Sequence, residues 1–221
     1  MHNYRIKRAM LMIATWVLVS FASASSTSDA ERGKEVAQVC AACHGADGNS
    51  LTTAFPKIAG QHAKYTNKQL LDMKKPQELG GRSVPEMAAI LAQMTDQDFL
   101  DVAAYYSQQT MTLTAVEANE DLLSLGASLY RSGNSKTGMA ACIGCHGPKG
   151  KGNPGVSYPK IAGQHADYIE KQLKAFRLGH DQPTHSNARI NDGETRIMRD
   201  VASRMTDLEI KAVAYYMSSL Y

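Results

Sequence analysis

The chain has 221 residues, 43% of them hydrophobic and 20% charged, which is an ordinary globular composition with room for one or two domains. Twenty-four basic residues stand against 21 acidic ones, but three of the basic residues lie in the first 24 positions, and the rest of the chain is formally neutral. That balance gives no electrostatic footprint for nucleic acid, so none is expected as a partner.

Residues 1–24 read as a secretory signal peptide. Arg5, Lys7 and Arg8 form a basic start, an apolar run covers Ala9 to Phe21, and Ala22-Ser23-Ala24 offers a cleavage site. Thirteen apolar residues are short for a bilayer span, so cleavage is favoured over an N-terminal anchor. Export to an oxidising compartment is expected.

Asp29 is placed to cap a helix that begins at Ala30, with Glu31 favoured in its first turn. Next comes Cys40-Ala41-Ala42-Cys43-His44. After a loop, Phe55-Pro56-Lys57-Ile58-Ala59-Gly60-Gln61-His62 leads into a second helix, expected over 61–74. Met87 and Met94 precede a closing helix, announced by Thr95-Asp96, whose apolar stripe runs through Phe99, Val102, Ala103 and Tyr106.

The same order then repeats. A helix is expected over 119–130, followed by Cys142-Ile143-Gly144-Cys145-His146. Tyr158-Pro159-Lys160-Ile161-Ala162-Gly163-Gln164-His165 leads into a helix over 164–178. Met198 and Met205 precede a closing helix announced by Thr206-Asp207. The Cys-rich motifs are offset by 102 residues and the Pro-Lys-Ile blocks by 103. The second half carries extra residues between Gln164 and Met198, and the polar stretch 177–195 reads as a longer loop. A linker is expected around 108–118, dividing domains 25–112 and 113–221. No alternating run marks a strand, so the fold class is all-α.

Two Cys-x-x-Cys-His strings are the signature of c-type haem attachment. Two thiols one helical turn apart can form thioethers to the vinyl groups of one porphyrin, and the adjacent histidine then faces the iron. The expected haem-attachment residues are Cys40, Cys43, Cys142 and Cys145, and the proximal ligands are His44 and His146. A redox or zinc-binding Cys-x-x-Cys is the rival reading. Methionine is the usual sixth ligand of such electron carriers, and the repeat offers two aligned pairs, Met87 with Met198 and Met94 with Met205. His62 and His165 also align, so bis-histidine ligation stays open, although their place at a helix start suits a polar, surface or propionate-side role. Pro56 and Pro159 can lend a carbonyl to the proximal imidazole or simply stiffen the loop. Gly33 and Gly126 suit close crossing of first and last helices.

These blocks resemble the dihaem cytochrome c4 family across the whole chain after residue 24. The resemblance rests on Val39 to Ser50, Phe55 to Gln61, Val84 to Met87, Gly138 to His146, Gly163 to Ala166 and Thr195 to Met198. It implies two class I cytochrome c-like domains in tandem, related by a pseudo-twofold axis, with two covalently bound haem c groups whose propionates face each other across the interface. Among the methionines it selects Met87 and Met198 as ligands and leaves Met94 and Met205 to the core. It implies a periplasmic electron carrier without catalysis, loosely held at the inner membrane. Its partners would be redox proteins: an upstream cytochrome or copper protein, and a terminal oxidase. Two alternatives remain, a haem-bearing subunit of a larger dehydrogenase such as a sulfur-oxidising flavocytochrome, and a dihaem peroxidase.

Overall fold

A computed structural model describes residues 27–113 and 120–221. The expected leader and residues 114–118 of the expected linker lie outside the described residues. Helices make up the regular structure. Among the described residues the only strand-like pairings are two isolated bridges, Asn134 with Met139 and Asn153 with Tyr158.

In the first half, α1 (Ala30–Val36) begins on Asp29, whose carboxylate accepts from Glu31 N at 3.0 Å and Arg32 N at 3.1 Å. A 3-10 turn carries the chain into α2 (Ala41–His44), then come α3 (Ala63–Lys74), α4 (Pro85–Leu91) and α5 (Asp96–Ser107). The second half repeats them as α6 (Glu120–Ser132), α7 (Ile143–His146), α8 (Ala166–Asp181), α9 (Ile197–Ser203) and α10 (Asp207–Ser219). Thr95 and Thr206 each close a reciprocal capping box, Thr95 with Asp98 and Thr206 with Glu209.

Two expectations change. The stretch 177–195 is not all loop, because α8 continues to Asp181 before the chain turns. Leu178 and Gly179 explain this, since a Cβ at Gly179 would sit 2.3 Å from Arg189 O and the helix must pass closely under the returning loop. The methionine segments, which the sequence reading left without an element, are short helices of their own, α4 and α9.

Each half is built on one crossing of its first and last helices, α1 on α5 and α6 on α10. Glycine makes the approach possible: a Cβ at Gly33 would lie 2.0 Å from Asp101 O, and one at Gly126 only 2.2 Å from Ala212 O. One core gathers Leu70, Leu91, Met94, Phe99, Val102 and Tyr106, and the other gathers Leu129, Tyr130, Leu173, Met205, Ile210 and Val213.

Candidate haem sites and the interface between them

Both Cys-x-x-Cys-His motifs sit on a single helical turn, α2 and α7. No disulfide joins any of the four cysteines. Burial raises the pKa of the Cys40 thiol and pushes that of Cys142 up to about 11, so both are protonated near neutrality. Among the described residues no three His, Cys, Asp or Glu side chains converge as a zinc site requires.

The two histidines are held alike. His44 Nδ1 lies 2.8 Å from Pro56 O and His146 Nδ1 lies 3.0 Å from Pro159 O. A carbonyl can only accept, so Nδ1 carries the proton and Nε2 presents its lone pair. Burial lowers the pKa of both imidazoles, against the opposing pull of those carbonyls, and keeps them neutral. A neutral imidazole with a fixed ring and an available Nε2 is what an iron ligand must be. The two proline carbonyls therefore do more than stiffen a loop.

The methionines separate by burial. Met94 and Met205 lie inside the cores, whereas Met87 and Met198 are half-buried at the edges. Cys40 and Met87 border the same core, as Cys142 and Met198 border the other. The first thiol of each motif and the methionine on α4 or α9 thus flank one apolar body. The donor set fits haem c: two cysteines outside any disulfide, a neutral histidine, a methionine thioether and an apolar wall in each half.

His165 is buried and His62 half-buried. His62 Nε2 lies 2.7 Å from Lys151 O and His165 Nε2 lies 3.1 Å from Ser50 O, so each ring bridges to the opposite half. Their neighbours do the same with more force. Gln61 takes Lys160 N on its Oε1 at 2.9 Å and donates its Nε2 to Lys160 O at 2.8 Å. Gln164 takes Lys57 N at 2.9 Å and donates to Lys57 O at 2.7 Å. The repeated Pro-Lys-Ile-Ala-Gly-Gln-His block is therefore a two-way clasp, each copy reading the backbone of the other. Such reciprocity is the mark of an isologous, twofold-related contact.

The cytochrome c family matches residues 30–110 and again 127–221. Cytochrome c4 from Azotobacter vinelandii is 44% identical over 203 residues, covering 90% of this chain and 92% of that protein. The crystal structure of reduced recombinant cytochrome c4 from Pseudomonas stutzeri superposes with a TM-score of 0.80 at 43% identity, over 88% of this chain and all of the other. The chain belongs to the cytochrome c4 family. A cytochrome c4 is two cytochrome c domains in tandem, and the two halves here are those domains. A thiosulfate dehydrogenase electron acceptor of Stutzerimonas stutzeri (strain A1501) is also similar, at 37% identity over 83% of this chain and 80% of that protein.

The first, second and closing helix of each half and the contacts of Pro56 and Pro159 with the two histidines were readable from the sequence. The Gln61 and Gln164 clasp was missed, although the near-verbatim repeat of its block was a signal that two like surfaces meet.

Proposed function

We propose that this cytochrome c4 is an exported carrier of electrons that holds two covalent haem c groups. Cys40 and Cys43 would attach one, with His44 and Met87 as its axial ligands. Cys142 and Cys145 would attach the other, with His146 and Met198. Residues 1–24 serve as a cleaved leader, and domains 25–112 and 113–221 remain in the periplasm, with loose attachment to the inner membrane. Among the described residues no helix is long and apolar enough to cross a membrane.

When bound, haem c supplies a one-electron iron couple. The chain's own residues do the rest. Pro56 O and Pro159 O fix the imidazole tautomer and strengthen it as a donor. A thioether opposite histidine raises the reduction potential and fills the sixth position, which leaves no open site for peroxidase chemistry. The Gln61 and Gln164 clasp keeps the two domains in one orientation, so an electron received in one half is held near the other. An upstream cytochrome or copper protein would supply electrons, and a terminal oxidase would take them.

The observation that carries this reading is the duplicated site: the same thiol pair, the same carbonyl-held histidine and the same flanking methionine in both halves. An optical spectrum of the oxidised holoprotein tests it. A weak band at the red end of the visible, from methionine sulfur on ferric iron, is expected. A high-spin or bis-histidine spectrum would overturn the ligand set.

A second reading places the chain with a sulfur-oxidising dehydrogenase, and the likeness to the thiosulfate dehydrogenase electron acceptor favours it. Stopped-flow reduction by a thiosulfate dehydrogenase, compared with oxidation by a terminal oxidase, distinguishes the two by rate.

A further inference from the structure

The two methionine helices are not held alike. The chain enters α4 through Val84, with Pro85 at the first helical position and no side chain capping the open end. It enters α9 through Arg196 at φ +51°, a left-handed conformation that costs energy for a residue with a side chain, and Arg196 offers no side-chain cap either. The cap comes from farther back. Asp192 Oδ2 accepts from Arg199 N at 3.0 Å and its Oδ1 accepts from Arg199 Nε at 2.7 Å, while Arg199 Nη2 donates to Gly193 O at 2.6 Å. The two side chains are only 6% and 11% exposed, so solvent screens the pair weakly. The first half lacks such a pair. At the spacing that aligns Met87 with Met198, Ala88 stands where Arg199 does, and residues 80–85 include no acid.

Asp192 belongs to a loop that the other domain holds. Its neighbour Asn191 is buried. Arg189 Nε donates to Asn191 Oδ1 at 2.9 Å, which leaves Nδ2 for the first domain, where it donates to Asp72 Oδ2 at 2.7 Å and to Gln69 Oε1 at 3.1 Å. Lys68 Nζ donates to Asn191 O at 2.8 Å and pairs with Asp72. Two buried arginines knit the surroundings. Arg82 and Arg189 each donate to Gln69 and Gln172, Arg82 also to Tyr168 OH and Arg189 also to Tyr65 OH. Helix α3 of the first domain is thus joined through Asn191 and Asp192 to Arg199, the residue after Met198. The path is not repeated in reverse, because α8 carries Ala175 where α3 carries Asp72.

Exchange of an iron's methionine for another ligand requires that methionine, and the helix start that carries it, to move. In the second half that movement has to break the bonds of Asp192 with Arg199. We propose that the Asp192–Arg199 pair is a positioning clamp for Met198, anchored in the first domain through Asn191 and Asp72, so that the domain interface sets how firmly the second haem keeps its sixth ligand. The proposal rests on the dihaem His/Met reading. Its consequence is asymmetry: the Met198 thioether resists exchange more than that of Met87, and the first domain acts on the second haem's ligand.

The test titrates imidazole into the oxidised holoprotein and follows the methionine band. Met87→Leu and Met198→Leu assign its two components, and each variant is first checked for two haems and for the band without imidazole. Wild type should lose the band in two steps, the Met87 step at the lower imidazole concentration. Asp192→Asn, which keeps the shape and removes the charge, should bring the Met198 step down about tenfold, equal to about 1.4 kcal/mol, with the Met87 step unmoved. Arg199→Ala should do the same, and Arg199→Lys should recover part of the loss. Asp72→Ala, a change in the other domain, should lower the Met198 step about threefold and leave the Met87 step in place. If Asp192→Asn loses its haem, Arg199→Lys and Asp72→Ala carry the test. A Met198 step that stays put in Asp192→Asn, coincident steps in wild type, or two steps that shift together in Asp72→Ala would overturn the clamp. A wild type with fewer than two haems, or without the band, would instead overturn the dihaem His/Met reading.

Discussion

Adding one methyl group at Gly126 should destabilise the second domain, against the usual trend for glycine in a helix. Alanine has the better helix propensity by about 1 kcal/mol. Here the new Cβ would lie 2.2 Å from Ala212 O, 2.7 Å from Ala212 C and 2.8 Å from Tyr216 Cβ, whereas ordinary contact begins near 3.4 Å. The obstruction is backbone, so no side chain can swing aside, and α6 must move off α10 by about an ångström. Overpacking of a tight core costs about 1–3 kcal/mol, and a backbone clash belongs at the upper end. Set against the propensity gain, the net loss is about 2 kcal/mol. For a domain of this size that corresponds to a fall of roughly 8–15 °C in Tm. Differential scanning calorimetry of the Gly126→Ala holoprotein reads it directly. Gly144→Ala is the control, because nothing lies within 4 Å of the added Cβ and the first half carries Ala42 at the matching place. A Gly126→Ala protein as stable as wild type would refute the close helix crossing.

Replacing Met87 by leucine should abolish the methionine-to-iron band of one haem, whereas Met94→Leu, a swap inside the core, should keep it and cost less than about 1.5 kcal/mol; optical spectra with thermal unfolding check both. The double change Gln61→Ala and Gln164→Ala removes four interdomain hydrogen bonds, each worth about 1 kcal/mol, and should split the calorimetric transition into two if the halves unfold together in wild type. Asp101 provides a pH test. Burial works to raise its carboxyl pKa, but hydrogen bonds from Asp29 N–H, Gln97 and Arg32 outweigh that and hold it below the usual carboxylate range. A depressed pKa gives stability that is present above the unfolded value and lost on acidification through the folded one. Denaturant titrations should therefore show the wild type losing more stability between about pH 5 and pH 3 than Asp101→Asn does.

What could be read from the chain is what local chemistry dictates. Thr95 and Thr206 mark helix starts because a hydroxyl three residues before Asp98 or Glu209 satisfies open backbone donors. Cys40 to His44 fixes its own spacing, and Pro56 O serves His44 from only 12 residues away. The interface is different. Arg82 and Arg189 are 107 residues apart, while Tyr65 and Tyr168, like Gln69 and Gln172, are 103 apart. The register slip hides the arginine pair from a repeat comparison, and nothing local marks a surface arginine as buried once the halves meet. His165 opens a helix, which suited a polar, surface or propionate-side role, and nothing local to it shows that this helix start faces the opposite domain and Ser50 O. The 179–181 extension of α8 was obscured by Gly179, His180 and Asp181, residue types that read locally as a turn.

The central claim is that each half carries one covalently bound haem c. Electrospray mass measurement of the denatured, exported protein tests it most directly, combined with iodoacetamide as a probe for thiols. The account predicts the polypeptide mass plus two haems, with Cys40, Cys43, Cys142 and Cys145 all unreactive. A mass with one haem or none, or alkylation of either Cys-x-x-Cys pair, would contradict it.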